Sequence, residues 1–227
     1  MMILLRTRAM NYISKIIRKI VQLFFRATRN VVLPSYLCDK TNKNRIIMEN
    51  LEFKKFDPSK DDAKDISKKP GNYIVVIRDG VDLPGIGKSV KYRLYDGLRV
   101  VYTGISADLR KRIKLHLGEN KKQEGNAGKS TLRKSIGSLF EYSQIPRDEE
   151  PNGKTKFKPE DERKLTDWMK SNLIFYYCEN KNYKLDETKL IKELNPPINI
   201  EGNKNDLENK DFREKLTELR NREPNKI

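Results

Sequence analysis

The sequence predicts an α+β domain, built from three short apolar strands set among amphipathic helices. Three observations predict it. Apolar residues are 36% of a 227-residue chain in which 35% are charged, and they concentrate between Asn72 and Ile200, which suffices for one core and not for two. Tyr73–Ile77, Arg99–Thr103 and Leu173–Cys178 are apolar runs of strand length, rich in β-branched and aromatic residues. Between and after them, apolar residues recur at spacings of three and four, the period of a helix with one buried face.

The first 38 residues hold seven bases (Arg6, Arg8, Lys15, Arg18, Lys19, Arg26, Arg29) and no acid, so they supply +7 of the formal charge of +16. Ile13, Ile16, Ile17, Ile20 and Phe24 share one helical face and the bases lie elsewhere, so residues 1–33 read as a basic amphipathic helix. Its charges break any apolar run well short of the ~18 residues of a membrane span. The order of features does not fit a cleaved secretory signal either. Three readings stay open: a contact with a membrane surface or other anionic polymer, a helix that docks on a partner, or a start assigned too early, Met10 being an alternative.

Residues 34–69 are mainly polar and read as a connecting segment. The compact domain spans 70–203. After the strands Tyr73–Ile77 and Arg99–Thr103, Ser106 can cap a helix with Asp108 in its first turn and Leu109, Ile113 and Leu117 as its apolar row. Ser130 or Thr131 can open another, with Leu132, Ile136, Leu139 and Phe140 facing inward. A polar loop follows from Arg147 to Lys158, and then Pro159 and three acids start a helix carrying Leu165, Trp168 and Met169. Residues 119–171 thus form a helical insertion. Asp186 begins the last core helix, which must stop near Asn195 because Pro196 and Pro197 disfavour helix before them. Residues 204–227 read as a charged tail, with a helix from Asp206 to Arg222 whose apolar row is Phe212, Leu216 and Leu219.

The excess of 48 Lys and Arg over 32 Asp and Glu favours a polyanionic partner, nucleic acid first among them. Cys38 and Cys178 are the only cysteines and have no CxxC or Cys/His spacing, which supports neither a disulfide framework nor a structural zinc site and fits a reducing cytoplasm.

Two Gly-Lys-Ser triplets, at 87–89 and 128–130, imitate a phosphate-binding loop. The glycine that such a loop needs five positions earlier is replaced by Asp82 and Gln123, so neither qualifies. Gly125–Thr131 can instead offer N–H groups, Lys129 and hydroxyls to one backbone phosphate, or can simply be a solvated loop before a helix. Arg112 and His116 stand one helical turn apart, on one face. That pairing suits a guanidinium gripping a phosphate beside an imidazole that moves a proton, and it equally suits a structural histidine. Glu187 precedes Leu190, Ile191 and Leu194 in one row, and a carboxylate on a core-facing row needs a reason. A divalent cation is one; a favourable position in the first helical turn is the other.

Taken together, Pro70-Gly71-Asn72-Tyr73 on the first strand, Tyr102-Thr103-Gly104 on the second, then Arg112, His116, Glu187 and Asn199 strongly resemble the GIY-YIG nuclease superfamily over roughly Pro70 to Asn199. The wide gap between the tripeptides and the Arg112/His116 pair look most like the restriction-endonuclease branch. The resemblance implies a three-stranded antiparallel sheet flanked by helices, and a metal-dependent endonuclease acting on DNA, expected to be double-stranded. It implies that Tyr73 helps to activate water, that Tyr102 and Arg112 hold the scissile phosphate, and that His116 assists proton movement. Glu187 would bind a single Mg²⁺ or Mn²⁺, and Asn199 would buttress the site. Ile105 stands where some members carry Lys, and the insertion, with Lys129, Ser130, Arg133 and Lys134, is the expected DNA contact. A non-catalytic nucleic-acid-binding module on this scaffold, and a membrane-surface protein led by residues 1–33, are the competing functions.

Overall fold

A computed structural model describes residues 51–119, 125–148, 153–204 and 206–222. The expected amphipathic helix of residues 1–33 lies outside the described residues. Among the described residues, seven strands and five α-helices run in the order β1 (Lys54–Phe56), β2 (Gly71–Ile77), β3 (Leu94–Tyr95), β4 (Leu98–Ser106), α1 (Leu109–His116), α2 (Thr131–Leu139), β5 (Gln144–Pro146), β6 (Thr155–Phe157), α3 (Pro159–Asn172), β7 (Leu173–Glu179), α4 (Tyr183–Leu194) and α5 (Lys210–Arg220). None of the described helices is long and apolar enough to cross a membrane.

The principal sheet is antiparallel with strand order β1-β7-β2-β4-β3. It has five strands, which corrects the three expected. The three apolar runs are its centre, β7-β2-β4. The two additions are edges too short to show alternation: β1 is three residues with Lys54 and Lys55 exposed, and β3 is two. The β3–β4 hairpin turns on Asp96-Gly97, both at positive φ (51° and 74°), the pairing that a tight two-residue hairpin demands. β1 also draws Lys54–Phe56, within the supposed connecting segment, into the sheet.

Both sheet faces are covered. Tyr73, Val75 and Ile77 pack with Leu109, Ile113, Leu132, Leu165, Met169 and Leu216 on one face. Ile74, Val76 and Ile174 pack with Leu190 and Leu194 of α4 on the other. An irregularity in β4 aims one of the motif tyrosines. Val75 pairs with Tyr102 while Val76 pairs with Val100, so Val101 is an extra residue, a β-bulge. Strict alternation would put Tyr102 on the face of Val100. The bulge instead turns it toward Tyr73, with ring centroids 6.2 Å apart.

The C-terminal stretch is part of this body. α5 buries Phe212, Leu216 and Leu219 and packs against α2, and Gln144 Nε2 donates to the Leu219 carbonyl at 2.9 Å. The expected apolar row is therefore correct, with the helix starting at Lys210 and not Asp206.

Candidate active site

Tyr73 points from β2 into the space beneath α1, and it fits there because residue 104 is glycine. A Cβ at Gly104 would lie 2.4 Å from the Tyr73 hydroxyl oxygen. Asp108, and not Ser106, caps α1: its side chain accepts from Lys111 N at 2.9 Å, while Ser106 Oγ folds back onto Asp108. That start aims Arg112 and His116 at Tyr73. Arg112 Nε donates toward the Tyr73 hydroxyl at 3.4 Å, a long contact, and the Tyr73 hydroxyl lies 2.8 Å from His116 Nε2.

Burial pushes the phenols of Tyr73 and Tyr102 above their usual range, with Arg112 opposing the shift in both. Burial also works against the charge of Arg112, but the two tyrosine hydroxyls outweigh it and hold the guanidinium firmly protonated. The site at rest is thus two neutral phenols around one fixed cation.

His116 is completely buried, and burial, followed by the charges of Arg112 and Arg133, holds it well below its ordinary 6.5. The neutral ring carries one proton between two partners: Nε2 faces Tyr73, and Nδ1 lies 2.7 Å from Ser130 Oγ. Ser130 is the N-cap of α2 and also accepts from Arg133 N at 3.2 Å. Below about pH 6.5 the unfolded chain binds a proton that the folded one refuses, so stability should fall on acidification, by up to about 1.4 kcal/mol per pH unit. Urea unfolding from about pH 7 to about pH 5 should show this slope, and His116→Gln should flatten it relative to the parent chain.

Two expected DNA contacts need correction. Arg133 is fully buried and faces inward: its Nε and Nη2 bond Glu162 Oε2 at 3.0 and 2.7 Å, and its Nη1 donates to the His116 carbonyl at 2.9 Å. Glu162 Oε1 in turn accepts from Ala127 N at 2.7 Å. Such a pair survives burial because nearly every donor and acceptor is met. Ser130 is likewise buried, at 1% exposure, and its hydroxyl is spent on His116. The insertion therefore supports the candidate site, through Ser130 on the His116 ring and Arg133 on the His116 carbonyl. Of the other two expected contacts, Lys129 is exposed, and Lys134 is half-buried against Phe157 with its ammonium donating to Gln144 Oε1 and Thr155 Oγ1, where burial and the charge of Arg220 lower it to about 8.

On the other side of the tyrosines stands α4. It begins at Tyr183, three residues before the expected Asp186, which puts Glu187 in the second turn. The dipole of the first turn therefore does not explain it. Burial raises the Glu187 carboxyl, Arg112 partly countering. Among the described residues Glu187 has neither hydrogen bond nor ion pair, and it lines a cavity of about 520 Å³ with Tyr102, Asn199 and Arg220. Asn199 clamps the strand behind: its Oδ1 accepts from Thr103 N and its Nδ2 donates to Thr103 O, both at 2.9 Å. This holds the peptide between Tyr102 and Gly104.

A second cavity of about 400 Å³ adjoins the first. It is lined by Arg112, Lys129, Ser130, Lys134, Lys154 and Arg220, among others, and shares Thr131, Arg220 and Asn221 with the first cavity. The structure thus sets Tyr102, Glu187 and Asn199 on the first cavity and Arg112, Lys129 and Lys134 on the second, with Tyr73 and His116 fully buried against each other and Tyr73 in contact with Arg112. Arg220 is the lining residue that sequence reasoning missed. Its one signal is a base directly after the apolar row of α5, which is also the common place for a cation at a helix C-terminus.

A family model described as GIY-YIG catalytic domain matches residues 71–222. The match runs from the first residue of β2 past the end of α5, so it takes in the insertion and the C-terminal helix as well as the motif residues. No curated protein and no solved structure matches the chain.

Proposed function

Since the chain belongs to the GIY-YIG nuclease superfamily, we propose that it is an endonuclease that hydrolyses phosphodiester bonds of double-stranded DNA with the help of one divalent cation. The observation that carries this reading is convergence. Tyr102 and an unpaired carboxylate, Glu187, line one cavity, Arg112 lines the basic cavity that adjoins it, and the buried Tyr73 hydroxyl lies against Arg112 and His116.

Among the described residues no three His, Cys, Asp or Glu side chains cluster as a metal cage. A lone carboxylate, raised by burial and without a partner, fits Mg²⁺ or Mn²⁺, which take one carboxylate together with water and substrate phosphate. It does not fit zinc, which asks for several nitrogen or sulfur ligands. Glu187 would hold the ion, which supplies charge to offset that gathering on the phosphoryl and leaving oxygens.

The geometry supports a role for each remaining residue. Arg112, fixed as a cation between the tyrosine hydroxyls, grips phosphoryl oxygens, with Tyr102 donating beside it. Tyr73 accepts a proton from the attacking water while its own passes to His116 Nε2, so no free phenolate need form in a site that disfavours one. Asn199 keeps the Tyr102 strand rigid. Lys129 and Lys134 attract the duplex. Arg112 and His116, one turn apart, support kinship with the restriction-endonuclease branch.

Supercoiled plasmid incubated with the full chain should become nicked and then linear when Mg²⁺ or Mn²⁺ is present, and chelation should stop the reaction. A folded chain that binds the plasmid but leaves it intact with either ion would instead establish the non-catalytic binding module.

A further inference from the structure

Arg220 closes α5 at the junction of the two cavities, and nothing in the motif pattern assigns it a task. Burial lowers the readiness of its guanidinium to stay charged, with only the electrostatic influence of Tyr102 and Glu201 opposing. Among the described residues its side chain makes no hydrogen bond or ion pair, while Lys134 lies close enough to feel its charge. A half-buried guanidinium beside a second cation, with no carboxylate in ion-pair contact, is an unfavourable arrangement for the free protein. The other arginines packed into this domain are served: Arg133 by Glu162, Arg78 by Asp57, Arg213 by Asn195 and the Asp206 carbonyl.

We infer that Arg220 is a phosphate-binding residue that grips the DNA backbone next to the scissile phosphate. This rests on the nuclease reading for the position of the scissile phosphate, and on the cleft itself for the ligand class. Arg112 lines the basic cavity and Glu187 the other, and Arg220 lines both. A strand with its reacting phosphate at Tyr73, Arg112 and Glu187 and its continuation along Lys129 and Lys134 must pass this junction. A phosphodiester there supplies the anion that the guanidinium lacks, and the planar fork can bond two of its oxygens. The C-terminal helix then belongs to the substrate site, in keeping with a family match that extends to residue 222.

The test compares the full-length chain with Arg220→Met and Arg220→Lys. Binding of a labelled random-sequence duplex is measured in chelator, so that no cleavage is required, and single-turnover cleavage is measured with Mg²⁺. Arg220→Met should bind about tenfold to a hundredfold more weakly, with the slope of log affinity against log salt reduced by about one phosphate's worth. Its melting temperature should hold or rise, since an unpaired cation has been taken out of a partly buried place. Arg220→Lys should recover the salt slope and only part of the cleavage rate. Wild-type affinity and slope in Arg220→Met would overturn the inference, and so would a weaker binder whose melting temperature falls in step, which marks a helix-end structural role. If the parent chain binds but does not cut, the nuclease reading fails while the binding comparison still decides Arg220.

Discussion

Glu187→Ala should cost about 10³-fold or more in single-turnover cleavage while leaving the protein at least as stable as its parent. The first part follows from the role of a cation in phosphoryl chemistry: charge stabilisation in a water-poor site contributes several kcal/mol, and each ~1.4 kcal/mol is tenfold in rate. The second follows from the structure. Glu187 is desolvated enough to raise its carboxyl above its usual range, and it has no hydrogen bond to show for it. Alanine removes that penalty and favours helix within α4. DNA binding in chelator should be unchanged or tighter, because a negative charge leaves the cleft. Mn²⁺ binding followed by titration calorimetry, free of any activity readout, should disappear in Glu187→Ala. Glu187→Gln keeps the shape and should fail in the same way. An Ala variant that melts several degrees lower, or that still cuts at the parental rate, would place the carboxylate among structural groups.

The parts of this protein that were legible in its sequence are those where one local signal dominates. Three central strands appeared as continuous apolar runs because they are covered on both faces, and α4 ends at Asn195, in left-handed conformation before two prolines, where the sequence said it must. The candidate site residues came from the order and spacing of the family motifs, which survive without coordinates. What was hidden depends on contacts distant in sequence. Lys54–Phe56 carries no alternation and is a strand only because β7 offers an edge. Thr155–Phe157 looked like polar loop, yet Phe157 is fully buried under Gly137, whose missing side chain makes the room. Arg133 looked like a DNA contact because charge alone says nothing about direction; Glu162, on another helix, turns it inward. The bulge at Val101 had no pattern at all, and Arg220 only a base after an apolar row, which any helix C-terminus can show; both are consequences of how α5 and β4 meet their neighbours.

Tyr73→Phe should reduce cleavage by about 10² to 10⁴-fold, the range that a positioned proton-transfer group contributes. Tyr73 makes an unpromising base in isolation, since its burial drives the phenol upward and a free phenolate would be scarce at neutral pH. Its neighbours change the problem. With the hydroxyl 2.8 Å from Nε2 of a neutral imidazole, the phenol can give one proton as it receives another, and Arg112 steadies the oxygen meanwhile. For this the ring must present a lone pair at Nε2 and its proton at Nδ1, and Ser130 Oγ at 2.7 Å is the acceptor that supports that tautomer. Phenylalanine keeps the ring packing but strands a buried imidazole nitrogen, so stability should drop by about 1 to 3 kcal/mol. Rates must therefore be taken well below the melting temperature and expressed per folded molecule. No charge is lost, so the salt dependence of DNA binding should match the parent. If Tyr73 and His116 act as one relay, Tyr73→Phe/His116→Gln should be little worse than the more damaging single variant, whereas independent roles would multiply. A Tyr73→Phe enzyme that cuts at the parental rate would reduce Tyr73 to a strand residue and leave His116 to take the proton from water directly.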